Sequence, residues 1–144
     1  GDLIRPLGLV TLYFGYVEAQ ENTLMVMLRD CGLSFSDSPV APLGHRLLDF
    51  EKVVKGLNCA GVGEVLGLLE KSKTLIEHRN FLVHASVLAK GRVIPNDFRK
   101  PEFSVTPEDL KTLAKEAFNW KERLNSAVQL RLLPALREMG IDVT

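Results

Sequence analysis

Apolar residues recur at steps of three, four and seven through almost the whole chain, and only a helix gathers that spacing on one face. Between about Leu9 and Cys31 the stripe is Val10, Tyr13, Phe14, Val17, Leu24 and Leu28. Gly32 ends it, and Ser34-Phe35-Ser36-Asp37-Ser38-Pro39 reads as a loop. A shorter helix is predicted from about Leu43 to Leu57, with Leu47, Phe50, Val54 and Leu57 on its apolar side. Asn58, Gly61 and Gly63 break the pattern, and a third helix runs from about Val62 to Ala89.

Lys90-Gly91 and Pro95-Asn96-Asp97 then interrupt the helical period. Arg92-Val93-Ile94 between them fits a short strand or hairpin arm. The fourth helix has the clearest start, with Thr106 as N-cap, Pro107 at the first helical position, and Glu108 and Asp109 in the first turn. It continues to about Met139, where Gly140 stops it, and Pro134 should kink or split it near Leu130. The expected fold is all-α. It is a four-helix up-and-down bundle with a long extended or hairpin-like insert between the third and fourth helices. Residues 1–144 read as one such domain, a length that buries a substantial core.

Hydrophobic residues make up 46% and charged residues 25%, the balance of a globular chain rather than a disordered one. Lysine plus arginine number 18, as do aspartate plus glutamate, so the formal net charge is zero. That counts against a dedicated nucleic-acid binder and leaves room only for a local basic site. Cys31 and Cys59 match no metal or redox spacing and read as reduced thiols of a cytoplasmic protein. Apolar runs are too short for a membrane span. Gly1-Asp2 carries neither an initiator Met nor a signal-peptide pattern and reads as a trimmed start. His45 and His78 lack ligand-spaced partners, so no metal and no cofactor is expected.

The chemical question sits in Arg79-Asn80-Phe81-Leu82-Val83-His84. On a wheel at about 100° per residue, Val65, Leu69, Ser72, Ile76, Val83 and Val87 share the core face, and Arg79 falls near its middle. A guanidinium stays charged and needs a partner or water. Glu21, between Val17 and Leu24 at the edge of the first apolar stripe, is the acid that would supply one. The expectation is a Glu21–Arg79 ion pair from the first helix to the third. Glu70, Lys73, Glu77, Asn80 and His84 line one flank of the core face. Lys73 and Glu77 are therefore supporting candidates. Arg79 and His84 diverge by about 140° on an ideal helix.

Leu75-Ile76-Glu77-His78-Arg79-Asn80-Phe81-Leu82-Val83-His84 resembles the signature of the HEPN superfamily, four-helix bundles marked by Arg, four to six residues, then His, often with Asn after the Arg. Phe14-Gly15-Tyr16-Val17-Glu18-Ala19-Gln20-Glu21-Asn22-Thr23-Leu24 is similar to the first helix of such proteins, which often carries a core-facing glutamate. Ala85 departs from the glycine that many relatives carry after the histidine. The resemblance implies metal-independent RNA cleavage at the interface of a homodimer. By position, His84 would be general base or acid, Arg79 would neutralise the scissile phosphate, and Asn80 would orient phosphate or imidazole.

Lys90, Arg92, Arg99 and Lys100 make the insert locally basic and are the candidate RNA contacts. Trp120, Phe118 and Tyr13 read as core or dimer interface rather than a base-stacking platform. Two readings stay open. One is a ribonuclease of toxin or defence type, whose relatives are often paired with an antitoxin. The other is a non-catalytic bundle that binds a protein partner or nucleotide and keeps the motif as a structural latch.

Overall fold

The computed structural model describes residues 3–36, 41–88, 92–93 and 103–140. Helix α1 spans Ile4–Asp30, α2 Leu43–Lys55, α3 Val62–Leu88 and α4 Pro107–Ala127. A π turn at Val128–Leu132 joins α4 to α5, Leu133–Glu138. Strands β1 (Arg92–Val93) and β2 (Phe103–Ser104) pair antiparallel, Arg92 opposite Ser104 and Val93 opposite Phe103. The chain forms the all-α bundle that its spacing predicts. Ile94 of the expected strand, like the insert up to Glu102, lies outside the described residues.

Helix α1 starts five residues earlier than its apolar stripe, at Ile4 rather than Leu9. Pro6 sits in the first turn, where backbone N–H groups have no intrahelical acceptor, so its missing donor costs nothing. The other end closes on Gly32, whose φ of 94° only glycine adopts easily. Gly32 N donates to Arg29 O (2.8 Å) and Leu33 N to Leu28 O (3.1 Å), the paired bonds that satisfy a helix's last carbonyls. At α4, Thr106 Oγ1 accepts from Asp109 N (3.1 Å) while Thr106 N donates to Asp109 Oδ2 (2.9 Å). That reciprocal box makes the fourth helix start where the sequence places it.

Helix α1 packs most extensively on α4, α4 on α3, and α3 on α2. Leu24, Leu28, Phe50, Leu69, Leu110, Leu113, Leu124 and Leu136 are all fully buried between them. Each leucine withdrawn from water contributes about 1.5–3 kcal/mol. Trp120 joins this core, its Nε1–H donating to Leu68 O at 2.7 Å. Phe118, expected in core or interface, is exposed and meets Tyr13 edge to face at 5.7 Å.

Pro134 acts as expected, with a specific remedy. It can neither donate to Leu130 O nor tolerate that carbonyl beneath its ring, so the preceding turn widens. Leu133 N bonds Val128 O, five residues back, and Leu130 is thrown into solvent. The widened turn receives Gly61, which has φ of 89° and so little room that an added Cβ would lie 2.9 Å from Leu132 N. Glu64 pairs with Arg131 beside it. The start of α3 thus meets the end of α4, and the two helices run antiparallel. Among the described residues no helix is long and apolar enough to cross a membrane.

Candidate functional site

The motif stands on the last three turns of α3, and the partner of Arg79 differs from expectation. The buried face of α3 is Val65, Leu68, Leu69, Ser72 and Leu82, with Ile76 and Val83 half-buried. Arg79 stands near the middle of that face by spacing, as expected, yet is only half-buried, because its long side chain carries the guanidinium outward. Its guanidinium carbon lies 5.0 Å from the ring centroid of Phe14 on α1, which is 3% exposed. Nε and Nη2 both donate to Asn80 Oδ1, at 3.1 and 2.9 Å. Stacked on one side and forked on the other, Arg79 leans toward the flank of Asn80.

Asn80 and His84 are four residues apart, hence neighbours one turn apart on the same face. Both are exposed. The divergence of about 140° between Arg79 and His84 on an ideal wheel is partly closed because Arg79 swings onto Asn80. Two of the guanidinium's five N–H donors are spent on Asn80, leaving donors for an oxyanion. A cation thus touches an amide on an open flank, and an imidazole stands one turn along from that amide. Groups of these kinds can hold a phosphate and move a proton.

The expected Glu21–Arg79 ion pair does not form. Glu21 is buried at 1% exposure, and its Oε2 lies 3.4 Å from Arg46 Nη1 on α2. Arg46 also donates to Asn22 Oδ1, the side chain following Glu21. Asp49, one turn beyond Arg46, is buried and accepts from Ser36 Oγ at 2.7 Å. Neither carboxylate oxygen of Glu21 has a hydrogen bond among the described residues. Burial raises the Glu21 carboxyl from the ordinary 4.5 to about 7, opposed by Arg46 and Arg29 and reinforced by Glu18 and Asp49.

Arg46 and Asp49 are the residues that sequence reasoning overlooked. The signal was present: Arg46 is three residues from Leu43 and four from Phe50, on the same apolar stripe of α2. Arg46 needs a charged partner more than Arg79 does, since it is 4% exposed.

The supporting candidates have other duties. Lys73 bridges Glu70 (2.7 Å) and Glu51 of α2 (3.4 Å). Glu51 is held below the usual carboxylate range, chiefly by its hydrogen bond with Lys55, while Glu70 raises Lys73. Glu77 is exposed at the rim of the α2–α3 cleft. Lys90, Arg99 and Lys100, and the side chain of Arg92, lie outside the described residues. His45 and His78 are exposed as expected. Among the described residues no three His, Cys, Asp or Glu side chains converge as metal ligands.

Against known proteins, no family model, no curated protein and no solved structure matches this chain.

Proposed function

We propose that this chain is a HEPN-like, metal-independent endoribonuclease of toxin or defence type, cytoplasmic, acting as a homodimer and restrained by a protein partner such as an antitoxin. The observation that supports this reading is the Arg79–Asn80 fork, open to solvent, with His84 one turn along the same strip.

Each residue then has a task. Arg79 takes the scissile phosphate as its charge grows, and Asn80 holds the guanidinium in place. One His84 imidazole removes the proton from a ribose 2′-hydroxyl. The 2′-oxygen attacks phosphorus, the bond from phosphorus to the 5′-oxygen breaks, and the same residue of the second copy protonates that leaving oxygen. The products are a 2′,3′-cyclic phosphate and a 5′-hydroxyl. Two strips facing across a twofold axis make one composite site.

The test is incubation with structured and single-stranded RNA in excess chelator. The native protein should leave cyclic-phosphate ends, and His84→Ala should abolish cleavage while retaining its circular dichroism. Cleavage that survives in His84→Ala would sink the assignment of His84.

A second reading, a protein-binding bundle with the motif as a latch, draws on the cation–π contact between Arg79 and Phe14. It predicts an inactive native protein and an Arg79→Ala variant that unfolds.

A further inference from the structure

Between α3 and α4, on a side of the bundle that the motif does not use, lies an open groove of about 450 Å³. His78, on its rim, is about 120° around α3 from His84. The floor is Leu68, Leu75 and Trp120. Trp120 is 7% exposed and its indole N–H is already committed to Leu68 O, so the floor is apolar in character.

The rim is charged in an ordered way. Gly61 abuts Leu132 and Glu64 pairs with Arg131. Because α3 and α4 run antiparallel, Lys71 and Arg123 stand toward one end of the groove lining, and His78 and Glu116 toward the other. One end of the groove therefore has two permanent cations, and the other an imidazole and a carboxylate. The ends are about 10 Å apart, seven residues at 1.5 Å each. Among the described residues, none of Lys71, Arg123 and Glu116 is engaged in an ion pair. This is unlike Lys73, Lys111 and Lys121, whose charges are answered by nearby glutamates.

We propose that this groove binds an acidic peptide segment of a protein partner. A carboxylate would sit between Lys71 and Arg123, and an adjacent bulky apolar side chain would lie over Leu68, Leu75 and Trp120. The charge pattern argues for this occupant. Two unanswered cations at one end suit a carboxylate, and an open channel of about 10 Å suits about three extended residues. A nucleic-acid strand fits poorly, because Trp120 offers almost no ring face for stacking and Glu116 would repel a phosphate chain. A bare inorganic anion would leave the apolar floor uncovered.

The chain has one tryptophan, so its fluorescence reports on this groove alone. The probe is an acetylated, amidated hexapeptide with two glutamates followed by leucine and phenylalanine. Titration should give a saturable change in Trp120 emission. Lys71→Glu combined with Arg123→Glu should weaken binding by about tenfold or more, with circular dichroism unchanged. If that pair perturbs the fold, Lys71→Gln alone should still weaken binding measurably. His84→Ala should bind as the native protein does, so failure of the ribonuclease reading would leave this result standing. The absence of a saturable change would overturn the proposal, and so would equal binding of the peptide with glutamines in place of glutamates. Displacement by a single-stranded oligoribonucleotide at equal concentration would reassign the groove to nucleic acid and overturn it as well.

Discussion

Glu21 Oε2 lies 3.4 Å from Arg46 Nη1, with both side chains almost wholly removed from water. This contact ties α1 to α2, two helices that otherwise touch only sparsely. Its geometry is that of a compromise. The acid has a cation close by but no hydrogen bond on either oxygen among the described residues, so its charged form is poorly supported.

That arrangement makes stability depend on pH in a definite direction. The folded carboxyl titrates near 7 against an ordinary 4.5, so the folded state binds this proton more tightly than the unfolded state does. The stabilisation is full below about 4.5 and is lost as the pH rises to about 7. Glu51, held down by Lys55, contributes the opposite trend, so the measurement must be a difference between proteins. Melting temperatures of the native chain and Glu21→Gln should diverge as pH rises from 5 to 8, the native chain losing relative to the variant. The expected divergence is roughly 3 °C or more, equivalent to about 1 kcal/mol in a domain of this size. Parallel curves would show that Glu21 does not titrate there.

Gly61→Ala tests the fit between the start of α3 and the π turn. The substitution forces a β-carbon onto a backbone with φ of 89° and places it 2.9 Å from Leu132 N. Left-handed strain and overpacking together should cost about 2–4 kcal/mol. Gly67→Ala is the matched control. It lies within α3, where an added Cβ meets nothing within 4 Å, so it should stabilise by about 0.5–1 kcal/mol. Chemical denaturation of the two variants should move in opposite directions.

Arg79→Ala separates the two functional readings by stability alone. The substitution removes a fork to a neighbouring exposed side chain and a cation–π interaction with Phe14. Together they predict a modest destabilisation of about 0.5–2 kcal/mol with the fold retained. An unfolded variant, seen by circular dichroism, would instead establish Arg79 as a latch.

Much of the bundle was legible in the residues because its signals are local. Thr106, Pro107 and Asp109 specify a helix start within one turn, and Gly32 and Gly140 mark two stops. The Pro134 break was legible too, since a proline acts on the carbonyl four residues before it. The π turn itself was not: the residue that packs into the widened turn is Gly61, more than sixty positions away. At the candidate site the sequence picked out Arg79, Asn80 and His84, and the wheel assigned Asn80 and His84 correctly to an open flank. It misjudged the partner of Arg79, because a wheel places a residue around its own axis and does not say which side chain of another helix lies opposite.

By itself the sequence determined four helices, the start of the fourth and the stops at Gly32 and Gly140, and the presence of a buried acid on the first that needed a basic partner. Only the tertiary structure decided which base. Arg46 and Arg79 both stand on or near apolar stripes, and helical periodicity ranks residues around one axis without stating how two axes are rotated against each other. Packing sets that rotation. It brings Arg46 of α2 to Glu21 and leaves Arg79 half-buried across Phe14 and beside Asn80.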